Sequence, residues 1–463
     1  MIPRFEWTTD NTTFITPLGM TFTLLMGILL LVLPRKYALA PVVILMCYMT
    51  MGMRLMVADL NFTMIRILLL FGTVRILVRQ EFRGFKLNPI DRSILWFALV
   101  SSVAYILLWG DFEALKNKVG NAYNMLGFYF FFRFVVRSLD DILRTFKILA
   151  LTIVPLAGMM LFEKATGRNP FAIFGGVPEM TFVRDGALRC EGPFAHPILA
   201  GTFGAVLFPY FVALWWQSRK SRWIAVLGMA SSLAIIFACA SSGPVLAWAT
   251  GCAGLAMWRW RKYLRAVRWA MVVIPACLQL GMKAPVWFLI GRVGVVGGSD
   301  GYHRAYLIDR CIYNFWNWWL LGTKSTNAWA SADNHLFDVT NQYVATAADG
   351  GLLALILFIV ILVRCFRGVG VATRGAKQRG ERVGMQKTIW ALGCALLVHV
   401  ISYVSVTYFD QNFVNWFLLL AMIATVSASY PLLKRQVAHP AFSRAEPMVP
   451  MAAAGSEIGT GTA

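Results

Sequence analysis

Charge is scarce in this chain. Asp, Glu, Lys and Arg make up 14% of its 463 residues, where a soluble domain carries about a quarter. Acid is scarcer than base: 22 Asp and Glu stand against 43 Lys and Arg, a net charge of +21. So little charge on so apolar a chain excludes an ordinary soluble domain, because only lipid can cover the excess surface. The eight cysteines include no CxxC pair and no metal-ligand spacing, so no metal and no cofactor is expected. Cys47, Cys239, Cys252, Cys277 and Cys394 fall in apolar runs, where the thiol is a small hydrophobe. Cys190 and Cys311 lie in two long loops, where a disulfide between them is one option. No repeat of 20–50 residues is visible, which excludes a solenoid. The first apolar run has no small-residue cleavage site behind it and reads as a retained helix.

Apolar sequence is what the chain has in quantity: 58% hydrophobic residues and a mean hydropathy of +0.63. About 20 apolar residues span a bilayer. Runs near that length lie at about 14–33, 37–57, 62–78, 93–110, 120–136, 145–162, 196–216, 223–240, 244–258, 269–290, 346–364, 388–408 and 412–430. The third carries Arg66 and Arg75 and the fifth is short, so the expectation is an all-α integral membrane protein with about 12–13 transmembrane helices. Lys and Arg cluster in 79–92, 133–147, 217–222, 259–268 and 364–387. Basic residues collect in short cytoplasmic loops, which accounts for the net charge without nucleic acid. Placing those segments inside puts 163–195 and 291–345 outside and the tail inside; the side of the first helices is left open. The chain then divides into N-terminal helices (1–162), a first outer loop (163–195), central helices (196–290), a large outer loop (291–345), C-terminal helices (346–430) and a tail (431–463). The tail is rich in Ala, Gly, Pro and Ser, the composition of a disordered segment.

The two long loops are where function is expected, since long connections are usually functional. They also oppose the charge rule. The first holds Arg168, Arg184 and Arg189, and the second Arg292, Arg304, Arg310 and Lys324 with His303 and His335. One explanation is pairing with nearby acids such as Asp185, Glu191, Asp309 and Asp338. The other is an anionic ligand, since guanidinium groups fit phosphate oxygens as a fork. The stretch 302–321, with Phe315-Trp316-Asn317-Trp318-Trp319, has the composition of an amphipathic helix lying on the bilayer. Arg54, Arg66 and Arg75 fall in or near apolar runs: Arg54 and Arg75 are placed to snorkel, and Arg66 to carry a partnered interior charge.

The segment Arg189-Cys190-Glu191-Gly192-Pro193-Phe194-Ala195-His196-Pro197 leads straight into an apolar run. Tyr302-His303-Arg304-Ala305-Tyr306 is followed by Leu321-Gly322, and Thr340-Asn341-Gln342-Tyr343 by Asp349 and Gly351. Together, over about 185–360, these resemble the O-antigen ligase and O-antigen polymerase superfamily. The family's signature His is Thr340 here, and its Ser-Arg-Gly between two helices reads Ser241-Ser242-Gly243. The resemblance implies a multi-pass protein of the bacterial inner membrane with two long periplasmic loops. It implies transfer of a glycan from an undecaprenyl-diphosphate carrier to an acceptor hydroxyl on the periplasmic face, building O-antigen or exopolysaccharide. Such a site must stabilise charge on the departing diphosphate and accept a proton from the hydroxyl. Arg189 and Arg304 take the first role by the family's motifs and Arg310 by nearness in sequence. His335 or Asp338, just upstream of the matched motif, takes the second, and Asn341 and Tyr343 orient base or sugar unless they merely cap the following helix. The partners implied are the carrier-linked glycan, the bilayer, and a chain-length regulator or other polysaccharide assembly proteins. A transporter or lipid-linked glycan flippase would share the helix count, but would call for inverted repeats and charge near the bilayer midplane.

Overall fold

The computed structural model describes residues 13–57, 60–292, 301–326, 329 and 339–433. Thr16 accepts the Gly19 N–H and Pro17 fits the first turn, starting α1 (Pro17–Val32); α2 (Leu39–Tyr48) returns antiparallel to it. A hairpin follows, β1 (Arg54–Val57) on β2 (Leu60–Thr63), running into α3 (Met64–Val78). Asn88 and Asp91 form a reciprocal cap on α4 (Pro89–Trp109), Asp111 caps α5 (Phe112–Val135), and Ser138 caps α6 (Leu139–Thr166). A second hairpin, β3 (Phe182–Arg184) with β4 (Ala187–Arg189), leads to α7 (Pro197–Trp215), α8 (Arg222–Ala238), α9 (Ser242–Ala256) and α10 (Leu264–Gly281). Then come the short α11 (Gly301–Tyr313) and α12 (Phe315–Trp318), and the long α13 (Gln342–Gln378), α14 (Val383–Ser402) and α15 (Asp410–Ser429).

Every one of the apolar runs holds a helix, and among the described residues eight are long and apolar enough to cross a membrane. The protein is an all-α, multi-pass membrane protein. Its core gathers around α7, α14 and α15, which bury most of their length. Close approach at the core depends on small residues: a Cβ on Gly204 would stand 3.0 Å from the Ser232 carbonyl oxygen of α8. Leu107, Phe162, Phe237 and Leu280 face outward, as lipid contact demands. α10 has no buried residue and packs chiefly on the short turns at its two ends.

Hydrogen bonds tie the helix ends together. At one end Arg35 donates to the Val135 carbonyl (2.8 Å), Arg364 to the Pro89 carbonyl (2.6 Å) and Arg379 to the Ser429 carbonyl (2.6 Å). At the other, Thr16 donates to the Phe174 carbonyl (2.9 Å) and Gln411 to the carbonyls of Met49 (3.0 Å) and Pro193 (3.1 Å). The first set lies among the basic segments, and it now includes 33–38. The first helices therefore alternate with the rest, and by the charge rule α1 begins on the outer side.

Four local expectations change. Run 37–57 is helical only to Tyr48, because the outer hairpin claims 54–63. Run 269–290 stops as an α-helix at Gly281 and resumes as a 3-10 turn over Val286–Arg292. The basic segment 364–387 is mostly helix, since α13 continues to Gln378. Arg75 does not snorkel: its side chain is fully buried, with Nη2 2.7 Å from Glu81 Oε1 and Nε 3.1 Å from Oε2. Its Nη1 donates to the carbonyls of Leu30 (2.5 Å) and Leu33 (2.7 Å). The last carbonyls of α1 have no partner within their own helix, and a cation there satisfies them and the helix dipole together. Arg66 meets its expectation in part, half-buried with Nε donating to Asn124 Oδ1 at 2.8 Å.

Candidate functional site

Arg189 stands at the end of β4 and is only 6% exposed. Its strand is suspended by its backbone. Glu163, fully buried in the last turns of α6, accepts the N–H groups of Glu191 (3.1 Å) and Gly192 (2.9 Å) and the hydroxyl of Thr181 (3.1 Å). Cys190 N–H donates to the Ala238 carbonyl at the end of α8 (3.1 Å), and Asn169 donates to the Gly192 carbonyl (2.8 Å). Gly192 takes φ +59, Phe194 is fully buried, and His196 Nδ1 caps α7 by accepting the Ile198 N–H (3.1 Å). The Arg189–Pro197 motif is thus a rigid lead-in to α7. It brings Arg189 within electrostatic reach of Cys239, where α8 turns into α9 at Ser241-Ser242-Gly243. Burial, with Glu163 next, pushes the Cys190 thiol up to about 12.

Arg304 and Arg310 both lie on α11. This helix and α12 pack Leu307, Cys311 and Trp318 against Val344, Ala347 and Ala348 of α13. Tyr302, Tyr313 and Trp316 face outward, the amphipathic surface helix expected for this stretch. The Arg310 guanidinium lies over the rings of Tyr306 (4.8 Å) and Tyr313 (5.5 Å), which hold it by cation–π contact. Cys190 and Cys311 are both free, buried thiols, so the disulfide weighed between them is not formed.

Asn341 caps α13: its Oδ1 accepts the N–H groups of Tyr343 (2.9 Å) and Val344 (3.2 Å), and its Nδ2 donates to the Val404 carbonyl (3.4 Å). Tyr343 sends its hydroxyl to the Val400 carbonyl (3.0 Å) and its ring against Phe358 and Tyr403. Both side chains therefore fix the outer end of α13 on α14. The neighbouring Ser405 sits beside Gly243, 3.1 Å from where a Cβ would be. Residues 404–405 thus join the α8–α9 turn on which Arg189 rests to the start of α13. The arginines reach this end of the bundle from two separate elements, Arg189 from the end of β4 beside the α8–α9 turn and Arg304 with Arg310 from the helix against α13. His335 and Asp338 lie outside the described residues.

Two features were not anticipated. Glu163 organises the Arg189 strand, and its one signal in the sequence is a lone acid ending an apolar run. The second is a break in α13. Gly351 takes φ +72, and the chain after α12 fills the gap: Leu352 N–H donates to the Trp319 carbonyl and Thr323 N–H to the Ala348 carbonyl, both at 2.8 Å. Beside it Asp349 pairs with Lys118 of α5 at 3.3 Å.

α7, α9, α13 and α15 begin at this end and α6, α8 and α14 finish there, so helix termini of both signs meet at it. No family model matches the chain, and no curated protein matches it either.

Proposed function

We propose that the protein is a glycosyltransferase of the bacterial inner membrane that moves a glycan from an undecaprenyl-diphosphate carrier to an acceptor hydroxyl on the periplasmic face, polymerising or ligating O-antigen or exopolysaccharide repeats. One observation carries this reading: Arg189, a buried cation at an outer surface where the charge rule disfavours cations, is held on a strand braced by a buried carboxylate. In the reaction the acceptor oxygen attacks the anomeric carbon and the bond from that carbon to the diphosphate oxygen breaks. The hydroxyl proton passes to a base, His335 or Asp338, and the diphosphate leaves with an additional negative charge. Preorganised guanidinium groups of Arg189, Arg304 and Arg310 lower the cost of that charge. The diphosphate is already a good leaving group, so no nucleotide is required.

A flippase or transporter is the competing reading, and the broken α13 favours it, since such proteins bind at interrupted helices. The break, however, lies nine residues from the outer end of the helix and is filled by the chain's own loop rather than open to a substrate. The readings separate in a strain lacking the protein, complemented with wild type or Arg304→Ala and scored by the length of surface polysaccharide on a gel. Loss of long chains with repeats still made supports polymerisation; long chains left on the carrier support ligation. Unchanged glycan, or repeats trapped on the inner face, overturns the transferase reading.

A further inference from the structure

A cavity of about 490 Å³ opens between the outer ends of α3, α4 and α5, within the roughly 300–1,000 Å³ of small-molecule sites. Its walls differ in chemistry. Tyr105 and Trp109 form an aromatic wall, their ring centres 5.7 Å apart and tilted by 34°. Arg66 supplies donors, and the amides of Asn61, Asn117 and Asn121 both donate and accept. Asp111 and Glu113 place two carboxylates among the lining residues, and Lys116, also in the lining, pairs with Glu113 at 2.5 Å. The indole N–H of Trp109 is buried and meets no acceptor among the described residues.

We propose that this cavity binds carbohydrate, and that it holds the sugar portion of the glycan handled by the site described above; the second clause rests on the proposed function. Arg66 and Lys116 balance Asp111 and Glu113 in the lining, so the cavity has no net positive charge to draw a diphosphate. A ligand with many hydroxyls and no charge uses donors and acceptors alike, and its ring faces stack on aromatic side chains. Arg66 is already positioned, with its Nε on Asn124 Oδ1, so little ordering remains to be done on binding.

The cavity is also wired to the rest of the outer end. Lys118 lies over the Tyr105 ring at 4.0 Å while pairing with Asp349, next to the α13 break. Lys324, on the loop that follows α12, lies over the Trp109 ring at 5.6 Å. The aromatic wall therefore leans on the two segments that seat α11, the helix of Arg304 and Arg310.

The test uses the full chain in nanodiscs and saturation-transfer NMR with two probes: oligosaccharides released by mild acid from the surface polysaccharide of the source cells, and the same repeats still attached to lipid. Wild type is expected to bind both. Trp109→Ala and the exposed Asn117→Ala are each expected to weaken binding of the free oligosaccharide about tenfold, with thermal unfolding of Asn117→Ala unchanged. Binding of the lipid-linked form alone, or free-oligosaccharide binding that neither substitution alters, overturns the proposal. Arg304→Ala separates this site from the transfer reaction: normal polysaccharide from that variant, with saccharide binding still lost in Trp109→Ala, overturns the transferase reading and leaves the cavity a carbohydrate site.

Discussion

The Asp349 carboxylate meets the Lys118 ammonium at 3.3 Å, two residues before α13 breaks at Gly351. The pair joins α5 to the outer segment of α13, and the chain after α12 closes the break from the other side. Two different forces act there, and they differ in magnitude. Asp349 keeps a side chain 63% exposed, and exposed pairs contribute about 0–1 kcal/mol. Gly351 has a left-handed φ, and a Cβ there would sit 2.5 Å from the Leu320 carbonyl oxygen. Alanine at such a position costs more than about 1 kcal/mol. Asp349→Asn is therefore expected to unfold close to wild type in detergent, and Gly351→Ala clearly earlier. Equal melting of the two would contradict this division.

Arg75 offers a sharper stability test. Its charge is fully buried, and it satisfies both Glu81 and the end of α1. Arg75→Met leaves the carboxylate and the Leu30 carbonyl without their donor, while Leu33 keeps Arg79, and breaking one side of a buried pair costs roughly 3–5 kcal/mol. The expected result is a large loss of thermal stability, partly restored by adding Glu81→Gln. A neutral Arg75→Met would contradict the pairing.

Cys190 gives a chemical readout of the Arg189 strand. Thiolate is the reactive form, and the Cys190 thiol is pushed up to about 12 by burial. A raised value keeps the group protonated, so maleimide at pH 8 is expected to leave Cys190 unlabelled in the folded protein and to label it after denaturation, as mass spectrometry of peptides would show. Glu163→Ala, which frees the strand, is expected to admit the reagent. Rapid labelling of the folded wild type would contradict the braced strand.

Much of the fold was legible because a membrane helix is a local property: an apolar run long enough to span needs no partner to be recognised. The outer loops were legible for the same reason, as interruptions. What depends on contacts between distant residues was not. The seat of Arg189 on the Ala238 turn, the joining of Val404 and Ser405 to two separate helices, and the cavity among α3, α4 and α5 all bring together residues far apart in the chain. Hydropathy also misplaced boundaries. α13 runs on to Gln378 because Gly368, Val369, Ala372 and Ala376 keep one face buried against the bundle, and α5 begins eight residues before its apolar run behind a capping aspartate. The Arg75–Glu81 pair was the avoidable miss, since its members lie six residues apart.

The most direct measurement is transfer by the purified protein in liposomes loaded with undecaprenyl-diphosphate-linked repeats, followed by release of undecaprenyl diphosphate. Wild type is expected to release it with a matching gain in glycan on the acceptor. Arg189→Ala and Arg304→Ala are each expected to slow release by about 10²–10³-fold, the cost of removing one preorganised donor. Release at the wild-type rate from both variants would contradict the central claim.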